Sequence, residues 1–216
     1  MNQTLRLTFV AVCAGLSCSA YAAPVSVASY DTFNGDSGQF HYWDKNYTGV
    51  GSTTTDHAPL TGGTGDLTDG VIAPANWFAV ENAAGTGPYV GYFNFDPTIT
   101  FHFAAPTSFS SATFYFDVAK AGGVNQPRSI DVNALSFTLP TYPGTAPQSF
   151  TANLSLLAPT NTLAVTFHRS DFWVFVSEAQ FTTADATSTG VPEPSSPALL
   201  LAGLAGLGVL AKRRKS

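Results

Sequence analysis

The stretch TITFHF, Thr98 to Phe103, alternates strictly, with Ile99, Phe101 and Phe103 on one side and Thr98, Thr100 and His102 on the other. Successive side chains of an extended chain point to opposite faces, so the pattern predicts a strand with one buried face and one solvated face. ATFYFDV repeats it with Phe114, Phe116 and Val118, and TLAVTFH with Leu163, Val165 and Phe167. Further strands are expected in VSVASY, QFHYWD, PYVGYFNF, RSIDV, LSFTL, SFTANLSL and WVFVSEAQF, separated by the turn-rich pieces TGGTGD, AAGTGP, AGGVNQP and TYPGTAP. WVFVSEAQF is apolar on both faces around Val174, Phe175 and Val176, as a central strand would be. No helical period of useful length is found outside the two termini. Short strands broken by such turns predict an all-β domain, an antiparallel β-sandwich or jelly roll spanning residues 24–183.

The flanks read differently. Arg6, the apolar run LTFVAVCAGLS and the small-x-small triplet Ala20-Tyr21-Ala22 follow the order of a secretory signal peptide, here residues 1–23, with cleavage by signal peptidase near Ala22 or Ala23. The run is too short for a bilayer core, which takes about 20 apolar residues. Both cysteines, Cys13 and Cys18, lie in this segment, so the domain after cleavage has no thiol for a disulfide, a zinc thiolate or a cysteine nucleophile. Between Pro24 and Gly190 there are four basic and thirteen acidic residues, a formal charge of −9. Such a surface repels nucleic acid and anionic lipid and leaves calcium, neutral glycans and other proteins as partners.

TTADATSTGVPEPSSP, Thr182 to Pro197, reads as a polar stretch with the linker placed at residues 184–197, and it leads into an apolar run of 14 residues from Ala198 to Ala211. Extended back through Ser195 the run reaches 17 residues, the lower edge of a bilayer span, and Gly203, Gly206 and Gly208 weaken it as an isolated helix. A single hydrophobic helix with a basic tail is expected over residues 198–216, its cations kept on the cytoplasmic side. Val191-Pro192-Glu193-Pro194, this helix and the terminal Lys212-Arg213-Arg214-Lys215 resemble the tripartite PEP-CTERM sorting signal of exopolysaccharide-producing Gram-negative bacteria. The resemblance implies recognition by an exosortase and removal of the tail near Pro192-Glu193-Pro194, which are then substrate residues. It implies a membrane-anchored precursor whose domain ends at the cell surface or outside the cell.

Within the domain, GDSGQF (Gly35 to Phe40) is similar to the nucleophile motif of chymotrypsin-like proteases, but no histidine precedes Ser37 and the expected second glycine is Gln39, so it reads as a turn. His41, His57, His102 and His168 are scattered without ligand spacing. TGGTGDLTDG, Thr61 to Gly70, departs from a calcium-binding nonapeptide repeat, because Asp66 comes one place early and there is a single copy. It still gathers carboxylate, hydroxyl and carbonyl oxygens, the hard ligands calcium takes.

Leu67-Thr68-Asp69-Gly70, then Trp77, Tyr89-Val90-Gly91-Tyr92, Pro97-Thr98-Ile99-Thr100-Phe101 and Val176-Ser177-Glu178-Ala179-Gln180-Phe181 resemble galactose-binding-like jelly rolls of the discoidin and carbohydrate-binding-module type. The resemblance implies one structural calcium with Asp69 and Glu178 as side-chain ligands and Asp66 or nearby carbonyls beside them. A glutamate in so apolar a strand needs a cationic partner in any case, and Arg169 or Lys120 would also serve. Trp43 and Trp77 are the aromatics singled out as candidate sugar platforms, although most aromatics in such a chain fill the core. The expected function is a non-catalytic glycan- or exopolysaccharide-binding domain of an exported, exosortase-sorted protein. The alternatives are a purely structural matrix protein and an unrecognised hydrolase.

Overall fold

The structure, a computed structural model, describes residues 22–183. The expected signal peptide up to Tyr21 lies outside the described residues, as do the linker, the apolar helix and the sorting-signal residues Val191 to Pro194 and Lys212 to Lys215. Eleven strands and one short helix make up the described part: β1 (Pro24–Val25), β2 (Ser29–Phe33), β3 (Pro59–Gly63), α1 (Trp77–Val80), β4 (Val90–Phe93), β5 (Thr98–Thr107), β6 (Phe109–Phe116), β7 (Pro127–Val132), β8 (Leu135–Thr138), β9 (Gln148–Asn153), β10 (Thr160–Arg169) and β11 (Trp173–Thr183).

They form two sheets. The first runs β3-β2-β5-β10-β7-β8. In the second, β11 pairs with β6 and through it with β9 on one side, and with both β4 and β1 on the other. Every pairing between these strands is antiparallel. The domain is therefore the antiparallel β-sandwich that the alternating pattern predicts.

TITFHF opens β5, and Ile99, Phe101 and Phe103 are buried as the alternation requires. Phe101 and Phe103 meet Phe181 of β11 across the sandwich with ring centroids 4.9 and 5.1 Å apart, and Phe114 of β6 meets Phe167 of β10 at 5.4 Å. Each such ring contributes about 1.5–3 kcal/mol by leaving water. On the outward face of β5, His102 pairs with Asp31 of β2 at 2.8 Å.

β11 is buried from Trp173 to Ala179 on both faces, as a central strand should be. Val174 and Val176 enter the core between the sheets, while Trp173 and Phe175 enter a second cluster with Tyr42, Trp77, Tyr89 and Val124. Loops and α1 supply that second layer.

Three expectations change. QFHYWD is not a strand: its backbone turns, with Lys45 N–H donating to Trp43 C=O and Asp44 N–H donating to Asn34 Oδ1. Local side-chain acceptors replace a ladder there, and Tyr42 and Asp44 are buried in different surroundings. TGGTGD is only partly a turn, because Thr61 to Gly63 finish β3, an edge strand where Pro and Gly are tolerated. VSVASY splits, β1 joining the second sheet and β2 the first, so the chain crosses between sheets at Ser26 to Ala28.

Candidate functional site

The loop that carries the T-D-G sequence is placed by a gap in a sheet. On one edge of β11, β4 pairs with Trp173 to Val176 and β1 with Phe181 and Thr182, which leaves Ser177 to Gln180 without a strand. The loop after β3 fills the gap. Ala179 N–H donates to Leu67 C=O at 2.9 Å, Gly70 N–H to Glu178 Oε2 at 3.2 Å and Ala73 N–H to Ser177 Oγ at 3.4 Å. Leu67 is fully buried and anchors the loop in the main core.

The inner side of the loop is held by Asp44, itself fully buried. Asp44 accepts the Asp66 N–H at 2.9 Å and the Tyr30 hydroxyl. A side chain at Gly65 would collide, since its Cβ would lie 2.3 Å from Asp44 Oδ1. Asp66 is 3% exposed; its Oδ1 accepts from Asn46 Nδ2 at 2.7 Å, and its Oδ2 has no partner. Asp69 is exposed and accepts the Val71 N–H at 2.8 Å, closing a local turn.

Burial of so many carboxylates sets the electrostatics. Desolvation pushes Asp44 up to about 6, against hydrogen bonds from Tyr30 and the Asp66 amide. It pushes Asp66 up to about 7, with the charge of Asp44 adding to the effect. Glu178 rises to about 7 by burial and by the charge of Asp69. Among the described residues no Lys, Arg or His pairs with any of these carboxylates, so neither Arg169 nor Lys120 is the partner of Glu178.

Asp66, Asp69 and Glu178 thus come together at one loop, but they front different clefts. Asp66 and Asp69 open on a cleft of ≈ 310 Å³ shared with Asn46, Thr86 and Gly87. Glu178 and Thr68 open on one of ≈ 370 Å³ beside Pro24 to Val27. Among the described residues no three His, Cys, Asp or Glu side chains form a ready cage for a metal. An ion here would need backbone and hydroxyl oxygens of the loop as well.

Glu81 was not legible in the sequence. It is 7% exposed, accepts the Tyr89 N–H at 2.9 Å through Oε1, and leaves Oε2 without a partner. Burial and the charges of Asp66 and Asp117 push it up to about 8. Its burial depends on Gly87, whose missing side chain leaves room for the carboxyl: a Cβ there would lie 2.2 Å from Oε2. A glutamate following Val80 carries no local sign of this.

The two tryptophans part company. Trp77 is 7% exposed and packs edge-on against Tyr42 and Phe175, so its ring belongs to the second core. Trp43 is half-buried, with the His41 ring stacked on it at 3.9 Å, Lys45 Nζ 5.7 Å from the ring centroid, and Nε1 donating to Asp56 Oδ1 at 2.7 Å. Ser37 Oγ donates to the same Asp56 oxygen at 2.7 Å and lies 2.9 Å from His41 Nδ1. The serine sits between carboxylate and imidazole, whereas a nucleophilic triad needs the imidazole in the middle. GDSGQF is a turn, as its sequence implies.

Comparison with known proteins adds the following. No curated protein matches the chain. Among solved structures, the F5/8 type C domain of a Bacteroides fragilis protein is similar at 12% identity and a TM-score of 0.39, over 56% of this chain and 79% of that one. Residues 190–215 match the profile of the PEP-CTERM protein-sorting motif. The chain therefore carries a PEP-CTERM sorting motif at its carboxyl end, behind an antiparallel β-sandwich.

Proposed function

We propose that this protein is exported, processed by an exosortase at its PEP-CTERM motif and displayed at the cell surface as a non-catalytic domain that binds glycan of the extracellular matrix. The observation that carries the reading is the motif at residues 190–215, a sorting signal on the same chain as a single thiol-free β-sandwich. The loops at the ends of the sandwich are the usual place for recognition on such a scaffold.

Calcium belongs to the same proposal. The orphaned Oδ2 of Asp66 and the unneutralised Glu178 fit a hard divalent cation. Asp66 and Asp69, which face one cleft, and Glu178, which faces the neighbouring one, would have to converge on it through the Thr68 to Gly70 turn, with Thr68 and loop carbonyls supplying the remaining oxygens. Its contribution would be to neutralise buried charge and stiffen the loop on the β11 edge.

A glycan array probed with the mature protein, with and without calcium, tests the binding reading. Saturable and selective retention of at least one glycan is expected. An array with no saturable signal in either condition would instead favour a structural matrix protein without a small ligand.

A further inference from the structure

Of the four basic residues between Pro24 and Gly190, Arg128 and Arg169 line one pocket. It has a volume of ≈ 320 Å³ and is completed by Asp96, Ser170, Asp171 and Phe172. That is the lower end of the roughly 300–1,000 Å³ typical of small-molecule sites. The pocket adjoins the start of β11 at Trp173, and Thr183 closes the strand at its other end. Eleven residues of strand separate the two ends, about 33–37 Å at the usual rise.

The acidic groups around this pocket are already engaged. Asp96 accepts the Arg169 N–H at 3.1 Å through Oδ1 and faces His168 Nδ1 at 3.0 Å through Oδ2. His168 Nε2 faces Asp131 Oδ2 at 2.7 Å, and Asp171 Oδ1 accepts the Phe172 N–H at 2.8 Å. The two carboxylates beside His168 favour its cationic form. With that charge, Asp96, Asp131, Asp171, His168, Arg128 and Arg169 sum to zero in a domain that carries −9 overall.

The cations retain donors. Arg169 is oriented by Nη1 bonds to Asn94 Oδ1 at 3.0 Å and to the Asp171 carbonyl at 3.4 Å. Arg128 has a side chain 66% exposed and approaches Asp96 only at 3.9 Å, with no side-chain hydrogen bond among the described residues. An arginine offers five N–H groups in a planar fork suited to a carboxylate.

Beside them is an exposed aromatic pair. Phe172 is 57% exposed and Phe93 45%, their centroids 6.4 Å apart. Phe172 is seated on Gly123, where φ is +75° and a Cβ would lie 2.9 Å from the ring. An exposed aromatic face beside two guanidinium groups, Arg169 held in place and Arg128 with its donors free, suits a ligand that is apolar on one ring face and anionic at its edge.

We infer that this pocket is a subsite for a carboxylate-bearing sugar of an acidic polysaccharide, its ring against Phe172 and its carboxylate on Arg128, with Arg169 as the fixed wall. The inference rests on the glycan-binding reading and narrows its ligand class. The net negative charge of the domain does not prevent it, because repulsion from distant carboxylates is screened beyond about 8 Å at physiological ionic strength.

The test is calorimetric titration of the full-length exported protein with oligogalacturonate, a neutral galactan oligomer of equal length, and polyglutamate. Oligogalacturonate should bind roughly tenfold or more tighter than the neutral oligomer, the gain expected of a charge-assisted hydrogen bond. Arg128→Gln should abolish that preference without changing Tm, and Phe172→Ala should weaken both sugars. Equal affinity for the two sugars, an unchanged preference in Arg128→Gln, or polyglutamate binding as well as oligogalacturonate would each overturn the inference. If the neutral sugar binds and the acidic one does not, only this subsite fails. If a full glycan array also stays empty, the glycan-binding reading fails with it.

Discussion

At the scale of single residues, Asp66 is the informative group. Its loop, TGGTGDLTDG, announces hard oxygen ligands in the sequence, yet nothing local says that Asp66 is buried with an orphaned Oδ2 or that Asp44 lies behind it. Its folded value of about 7 stands above the ordinary 3.8, so the folded state keeps a proton that the unfolded chain releases. Stability from this group is complete below the ordinary value and declines as pH rises toward about 7. In chelator, Tm should therefore be higher at pH 5 than at pH 8. Asp66→Asn should reduce that difference by about 1–2 kcal/mol, a few degrees in a domain of this size. Thermal melts of both forms in chelator check it, and equal pH dependence would count against a buried, destabilised carboxylate at position 66.

At the scale of elements, β4 and β11 show where alternation stops being enough. The sequence predicts β5, β6 and β10 because one face is apolar and the other polar, and those strands lie where expected. β11 is apolar on both faces, which marks it as central, but its neighbours are chosen by tertiary packing. Gly91 of β4 is opposite Phe175, and a Cβ at Gly91 would lie 2.5 Å from the Phe175 ring and 2.8 Å from Tyr42 Cβ. Gly91→Ala should lower stability by about 1–3 kcal/mol, the usual cost of overpacking. Denaturant unfolding should show a lower midpoint with an unchanged slope; an unchanged midpoint would mean that the second core yields easily. QFHYWD has apolar alternation too, and it folds as a loop because Asn34 and Asp36, in the turn just before it, supply local hydrogen-bond acceptors.

At the scale of the whole molecule, two predictions concern route and ion. Replacing Pro192-Glu193-Pro194 with alanines should leave the precursor uncleaved and membrane-associated, which intact mass and fractionation of cells report; a mature product of normal mass would separate the motif from processing. Calcium at about one hundred times its dissociation constant should raise stability by about 2.7 kcal/mol, and the gain should vanish in a variant carrying both Asp69→Asn and Glu178→Gln. No change in Tm with calcium would remove the ion from the proposal. By itself the sequence determined the strand-rich class, the acidic thiol-free domain and the sorting motif, because alternation, composition and a short ordered motif are local properties of the chain. Only the tertiary structure decided that Trp77 is core, that Glu81 and Asp66 are buried without full partners, and that Arg128, Arg169 and Phe172 share a pocket. Those facts depend on which strands become neighbours across more than 40 residues of chain, as in the Arg128–Asp171 and Gly70–Glu178 approaches. Burial and charge at a point in space are set by everything packed around it, and a linear pattern records only its own side of that contact.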